Sequence, residues 1–100
     1  MSDVLNEERI DQALTNDLPS WSNEGGELVR VVELAGFPQA IEVVNDVALV
    51  AEEANHHPDI DIRWRTVTFH LTTHSQNGIT GADLEMAKKI DTVIGDRAAI

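Results

Sequence analysis

The sequence contains no cysteine. Disulfide bonds, cysteine nucleophiles and thiolate metal sites are therefore excluded as sources of its stability or chemistry. The lack of cysteine also suits a protein of a reducing compartment. Any catalysis must come from other side chains.

Long apolar segments are also missing. No stretch approaches the roughly 20 residues that a helix needs to span a bilayer. The start of the chain, Met1 to Val4, lacks the basic residues and the apolar run of a secretory signal peptide. We therefore expect a soluble cytoplasmic protein.

Basic residues are scarce: seven Lys and Arg stand against 18 Asp and Glu, which gives a formal net charge of −11. A chain of this charge repels phosphate backbones and anionic lipids. We therefore expect neither nucleic acid nor a membrane surface among its partners.

The chain has 100 residues, of which 42% are hydrophobic. This length suits one domain with a real core, and the composition is far from that of a disordered chain. No internal repeat, linker or low-complexity tract divides the sequence. We predict a single domain over residues 1–100.

Three helices are predicted from apolar spacing and from terminal residues. The first runs from about Asn6 to Asn16. The second begins near Phe37 and must end before Pro58, which cannot continue a helix. The third opens after Thr80 with the pattern of a capping box, and Gly95 lies beyond its end. The second and third helices are thus bounded by local signals.

Strand patterns fill the intervals between these helices. Trp21 begins a weak strand, and residues 28–34 are rich in β-branched side chains. Residues 60–73 alternate apolar and polar residues, with a change of register near Arg65–Thr66 that predicts two strands joined by a tight turn. The order α-β-β-α-β-β-α favours an α+β fold, with helices packed on one face of a four-stranded antiparallel sheet.

Three of the four histidines lie near one predicted junction between a helix and a strand. His56 and His57 stand where the second helix ends, and His74 ends the last strand. The unperturbed pKa of histidine, about 6.5, lets it give and take protons near neutral pH. The grouping favours a proton-transfer site.

The spacing of these residues resembles that of the pterin-4a-carbinolamine dehydratase family. The resemblance rests on Glu52 with His56-His57-Pro58, on Thr72-Thr73-His74, and on Asp83, and it runs from about Trp21 to Ile94. It implies loss of water from a 4a-hydroxytetrahydropterin, without metal or cofactor, by a homodimer or homotetramer. The implied catalytic residues are His56, His57, His74 and Asp83, and the implied substrate-binding residues are Trp21, Asn55, His56, His57, Pro58, Thr72, Thr73, His74 and Ser75.

Two positions depart from the family pattern. Ile60 stands where a bulky aromatic residue is usual, and Ala82 stands where an arginine is frequent. Both departures concern contacts with the side chain of the substrate rather than the proton chemistry.

Several of these residues also have structural explanations. The histidines at the helix end complement the helix dipole, and Asp83 at the third helical position stabilises a helix start. Trp21 is as readily a core or interface residue as a ring that stacks on a pterin. Glu52 is interpreted as a solvated carboxylate or one that orients a histidine, and His70, in mid-strand, as structural.

Two other functions stay open at this point. His56, His57 and His74 with a carboxylate could ligate zinc, because three histidines with an open position form a known catalytic zinc site. The chain could also be a non-enzymatic dimerisation or coactivator-type partner.

Overall fold

The computed structural model describes residues 3–99. In chain order its elements are α1 (Glu7–Asn16), β1 (Ser22–Asn23), β2 (Leu28–Glu33), α2 (Phe37–Ala54), β3 (Asp59–Arg63), β4 (Thr66–Leu71), a single 3-10 turn (His74–Gln76) and α3 (Gly81–Ile94). The strands form one antiparallel sheet in the order β1-β2-β4-β3. The predicted order of elements and the α+β class are confirmed.

One face of the sheet forms the core with the helices. The buried residues of β4 on this face are Val67, Phe69 and Leu71, which alternate with partly exposed residues. They pack in one apolar cluster with buried side chains of all three helices. The opposite face is open, and Val31 of β2 is 61% exposed there. None of the helices in residues 3–99 is both long and apolar enough to cross a membrane.

The helices begin where the local signals placed them. The Asn6 side chain accepts a hydrogen bond from the Arg9 N–H and caps α1. The predicted capping box of α3 is present. The Asp83 side chain accepts the backbone N–H of Thr80, and the Thr80 hydroxyl oxygen accepts the backbone N–H of Ala82. These caps satisfy N–H groups that have no partner within the helix.

Three details differ from the sequence-based expectation. β1 has only two residues and begins after Trp21. The turn between β3 and β4 consists of Trp64 and Arg65, and Trp64 has a positive φ of 57°. His74 was expected to end a strand, but β4 ends at Leu71 and His74 opens the 3-10 turn instead. A bridge between Thr73 and Gly78 closes this turn and takes the chain toward α3.

The N-terminal segment braces the start of α3. Val4 forms an antiparallel bridge with Thr80, and the Leu5 N–H donates to the carbonyl of Ile79 at 2.8 Å. A Cβ added at Gly78 would lie only 2.9 Å from Cγ1 of Val4. The residue at position 78 must therefore be small for this segment to lie so close.

Candidate active site

The end of α2 places the first two histidines. Asn55 follows the helix in the left-handed conformation, with φ 51° and ψ 42°, which asparagine tolerates better than most residues. The N–H of Asn55 donates to Glu52, and the N–H of His56 donates to Ala51. These two bonds form a Schellman motif, which turns the chain sharply out of the helix. Pro58 then leads into β3.

His56 is paired with Asp83 of α3. Its Nε2 atom lies 2.5 Å from Oδ1 of Asp83. The Asp83 side chain has no exposed surface, whereas 18% of the His56 side chain is exposed. A hydrogen bond to an ionised group in such a shielded place is shorter and stronger than one between neutral groups. The contact therefore fixes the position of the imidazole.

The second oxygen of Asp83 is held by the protein itself. Oδ2 accepts the backbone N–H of Thr80 at 2.9 Å and the hydroxyl of Thr73 at 2.8 Å. The Thr73 hydroxyl also lies 2.8 Å from Oγ1 of Thr80. Asp83 is thus both a helix-capping residue and the partner of a histidine, as its position in the sequence allowed.

The other two histidines of the cluster are more exposed. His57 Nε2 lies 2.8 Å from Oε1 of Glu52, and these side chains are 56% and 82% exposed. His74 Nε2 lies 3.9 Å from Oδ2 of Asp59, at the start of β3. Solvent screens pairs of this kind, so they contribute little to stability. Both rings can therefore meet a ligand and exchange protons with it.

These contacts join four parts of the chain. His56 binds the start of α3 through Asp83, and Thr73 binds the same carboxylate from the segment after β4. His74, the next residue, lies beside Asp59 and hence beside the segment that carries His56 and His57. The four predicted catalytic residues are thereby brought to one side of the molecule.

The predicted substrate-binding residues are less uniform. Asn55 and Ser75 are exposed, Pro58 and Thr73 are half-buried, and the Thr72 hydroxyl donates to the carbonyl of Gly26 at 3.0 Å. All five lie next to, or in the same turns as, the cluster histidines.

Trp21 is the exception among these predicted residues. It lies in the core, only 5% exposed, and its indole N–H donates to Oδ1 of Asp91 at 2.8 Å. Arg30 donates to the same oxygen. The contacts of Trp21 therefore tie it to β2 and α3 rather than to the histidines.

Sequence reasoning missed two neighbours of the site. Asp59 beside His74 was not singled out, although it directly follows the His-His-Pro segment. Thr80 was recognised only as a helix cap, whereas its hydroxyl and N–H both belong to the network around Asp83. The interpretation of Glu52 as a solvated or histidine-orienting carboxylate agrees with its contact to His57.

His70 lies in a different arrangement. Its Nδ1 atom is 3.2 Å from Oε1 of Glu27, just before β2. Asp59 is its cross-strand neighbour in β3, but the hydrogen bond of His70 is directed to the opposite strand. A role in holding the sheet surface explains this contact.

The neighbours of the cluster histidines are all carboxylates. Across residues 3–99, no group of three or more His, Cys, Asp or Glu side chains is arranged to hold a metal ion. Each histidine of the cluster instead faces its own carboxylate, the arrangement that orients an imidazole for proton transfer.

An open depression elsewhere on the surface runs along α1 and is lined by Glu8, Asp11, Gln12, Thr15 and Asn16. It is formed by one helix and shares no residue with the histidines. We therefore place the candidate site at the histidine cluster.

Known proteins resemble the chain over most of its length. The family model for pterin 4 alpha carbinolamine dehydratase matches residues 3–93. A relative from Nocardia farcinica, provisionally named a pterin-4-alpha-carbinolamine dehydratase, is 53% identical over 90 residues, which cover 90% of this chain and 94% of the relative. A relative from Roseiflexus castenholzii with the same provisional name is 47% identical, covering 94% of this chain and all of the relative.

Solved structures agree with these sequence matches. The crystal structure of a transcriptional coactivator/pterin dehydratase from Brucella melitensis superposes with a TM-score of 0.88 at 30% identity, covering 93% of this chain and 100% of that one. A pterin dehydratase-like RuBisCO assembly factor of the alpha-carboxysome shares the fold, with a TM-score of 0.66 at 22% identity over 76% of this chain and 90% of its own. The chain belongs to the pterin 4 alpha carbinolamine dehydratase family.

Proposed function

We propose that the protein is a hydro-lyase that removes water from a 4a-hydroxytetrahydropterin, with 4a-hydroxytetrahydrobiopterin as the expected substrate in tetrahydrobiopterin recycling. One observation supports this proposal beyond family membership: His56 and the segment before His74 share the network around Asp83, His57 follows His56 directly, and each of the three histidines lies beside a separate carboxylate. Such a set can donate and accept protons near neutral pH without a metal or cofactor.

The reaction needs two proton transfers and no redox partner. The bond between C4a and the hydroxyl oxygen breaks, and a general acid gives this oxygen the proton that makes it water. The N5–H bond gives up its proton to a base, and its electron pair forms the C4a=N5 double bond of the quinonoid dihydropterin. The substrate gains one proton on the departing oxygen and loses one from N5. One imidazole as acid and one as base are therefore enough to balance the reaction.

The exposure of the histidines suggests how the work is divided. His57 and His74 are the more exposed and serve the departing hydroxyl and the N5 proton. His56, held by buried Asp83, binds the substrate or assists. Acid–base groups of this kind each contribute about 10²–10⁴-fold to a rate.

A stopped-flow assay tests the proposal directly. The 4a-hydroxytetrahydropterin is generated in the instrument and its dehydration is followed with and without micromolar purified protein. We expect a rate well above the spontaneous one, without added metal or cofactor. If only the spontaneous rate is observed, the proposed activity is wrong.

The proposal includes a homo-oligomer, a dimer or a tetramer. β3 is an edge strand of the sheet, and its outer edge is not paired within residues 3–99. Edge strands of this kind can pair with another chain. A monomer mass by light scattering across the micromolar range would contradict it.

The expected cytoplasmic location, and the exclusion of nucleic acid and membrane as partners, rest on the cysteine-free and acidic composition.

A coactivator-type role is a second candidate, supported by the similarity to the transcriptional coactivator/pterin dehydratase from Brucella melitensis. It predicts that protein–protein function persists when the cluster histidines are replaced, whereas the dehydratase proposal predicts loss of activity.

A further inference from the structure

The hydroxyl of Thr73 lies between the carboxylate of Asp83 and the hydroxyl of Thr80. Oγ1 is 2.8 Å from Oδ2 of Asp83 and 2.8 Å from Oγ1 of Thr80. Thr73 is half-buried. Its hydroxyl is thus engaged twice by the protein, although the sequence pattern assigned this residue to substrate binding.

The direction of these hydrogen bonds follows from counting protons. A hydroxyl has one proton to donate, and a carboxylate has none. Thr73 must therefore donate to Asp83, and the Thr80 hydroxyl must donate to Thr73. The Thr80 oxygen in turn accepts the N–H of Ala82 at 3.2 Å. The result is a chain of hydrogen bonds that runs one way, from the backbone of α3 to the carboxylate.

This series of hydrogen bonds determines which oxygen of Asp83 contacts His56. Oδ2 accepts both the Thr73 hydroxyl and the Thr80 N–H, so the carboxylate is turned with Oδ1 toward His56. Because the carboxylate can only accept, Nε2 of His56 must carry a proton. In the neutral ring the lone pair then lies on Nδ1.

We propose that Thr73 is a positioning residue that acts through Asp83 to hold neutral His56 with its proton on Nε2, leaving Nδ1 as the nitrogen that exchanges a proton or a hydrogen bond with the substrate. The catalytic part of this inference rests on the proposed function. The tautomer of His56 follows from the contacts alone and can be measured without substrate.

The test combines a spectroscopic and a kinetic measurement. Protein labelled with ¹⁵N in histidine is examined by NMR above the titration range of its imidazoles, with His56→Gln used to assign the His56 signals. We expect the Nε2–H form in the wild type. Thr73→Val removes the hydroxyl but keeps the shape, so the carboxylate loses one of the two donors on Oδ2 and can turn away from the ring. The released imidazole should then populate the Nδ1–H form in part, and kcat should fall about 10-fold, the order expected for one hydrogen bond to a charged group. Thr73→Ser should restore both.

Thr92→Val is the matched control. The Thr92 hydroxyl donates to the Lys88 carbonyl on the exposed side of α3, so its loss should change neither the tautomer nor the rate. If Thr73→Val does not fold, Thr73→Ala takes its place.

Two results would overturn the inference: an Nδ1–H tautomer of His56 in the wild type, or a folded Thr73 variant that keeps both the wild-type tautomer and the wild-type rate. A wild-type protein with the expected tautomer but no dehydratase activity would refute the proposed function and the catalytic part of the inference, while it supports the positioning of His56.

Discussion

His56 and Asp83 are 27 positions apart in the chain, yet Nε2 of the imidazole lies 2.5 Å from Oδ1 of the carboxylate. The contact joins the end of α2 to the start of α3. Since Oδ2 is occupied by donors from Thr73 and Thr80, a single oxygen faces the ring. This geometry makes the consequences of changing Asp83 unusually specific.

Asp83→Asn should lower the dehydration rate about 10²-fold or more, within the range for disabling one acid–base group. The Thr80 N–H requires an acceptor, so the amide oxygen must occupy the place of Oδ2 and the NH₂ group must face His56. The ring would then have to accept at Nε2, which forces the proton to Nδ1. Stopped-flow kinetics and histidine NMR measure the two effects.

Glu85→Gln is the control for this change, because it makes the same chemical replacement on the exposed side of α3, where Glu85 faces Lys88. It should leave the rate unchanged. An active Asp83→Asn protein with an unaltered His56 tautomer would contradict the prediction.

Replacing either exposed cluster histidine should reduce turnover. We expect His57→Ala and His74→Ala each to cost about 10- to 10³-fold in rate, comparable to the loss of one general acid or base. His70→Ala removes only the contact with Glu27 and should act through stability alone. Rates are compared at temperatures where circular dichroism shows each variant equally folded. Equal losses for His70→Ala and His74→Ala would show that the site is misplaced.

Asn55 should matter for stability through its backbone conformation. A residue with a Cβ and no local hydrogen-bonding group costs roughly 1–2 kcal/mol in the left-handed region, where Asn55 lies. Asn55→Ala should therefore lower the free energy of unfolding by about 1 kcal/mol, and Asn55→Gly should cost less. Urea denaturation of both variants provides the comparison. A more stable alanine variant would disprove this explanation.

Removal of metal should leave the activity unchanged. The proposed chemistry uses imidazoles and carboxylates alone, so dialysis against a chelator should not alter the rate. Elemental analysis of protein purified without chelator is the companion measurement. Stoichiometric zinc that is lost together with activity would instead support the zinc hypothesis.

The helices could be predicted from the sequence because their boundaries are local. Thr80 and Gly95 act on the residues beside them, and α3 begins directly after the predicted capping residue Thr80. Helix α1 begins one residue after Asn6, the approximate start that its apolar spacing predicts. The Trp64–Arg65 turn was harder, since it lacks the Asn-Gly or Asp-Gly pair that usually marks a two-residue hairpin turn. Here a tryptophan adopts a positive φ with Arg65 stacked 4.8 Å from its ring centre.

The partners within the site were harder to predict than the residues themselves. The histidines stood out by type and spacing, whereas Asp83 was assigned to the site by the family resemblance. Which carboxylate lies beside His56 or His74 depends on how segments that are distant in the sequence pack together in the fold. No local pattern encodes those distances. The buried contacts of Trp21 likewise depend on Asp91, 70 positions later in the chain.

The capping box of α3 makes the proposed activity depend on the folding of one helix start. Asp83 cannot hold His56 unless the first turn of α3 is formed, and that turn is braced by the bridge from Val4. Ile79 and Leu84, on either side of this turn, belong to the core, so the turn should open only when the core itself opens. Heating should therefore abolish the proposed activity together with the fold as a whole, and amide exchange at the start of α3 should be as slow as that of the core strands.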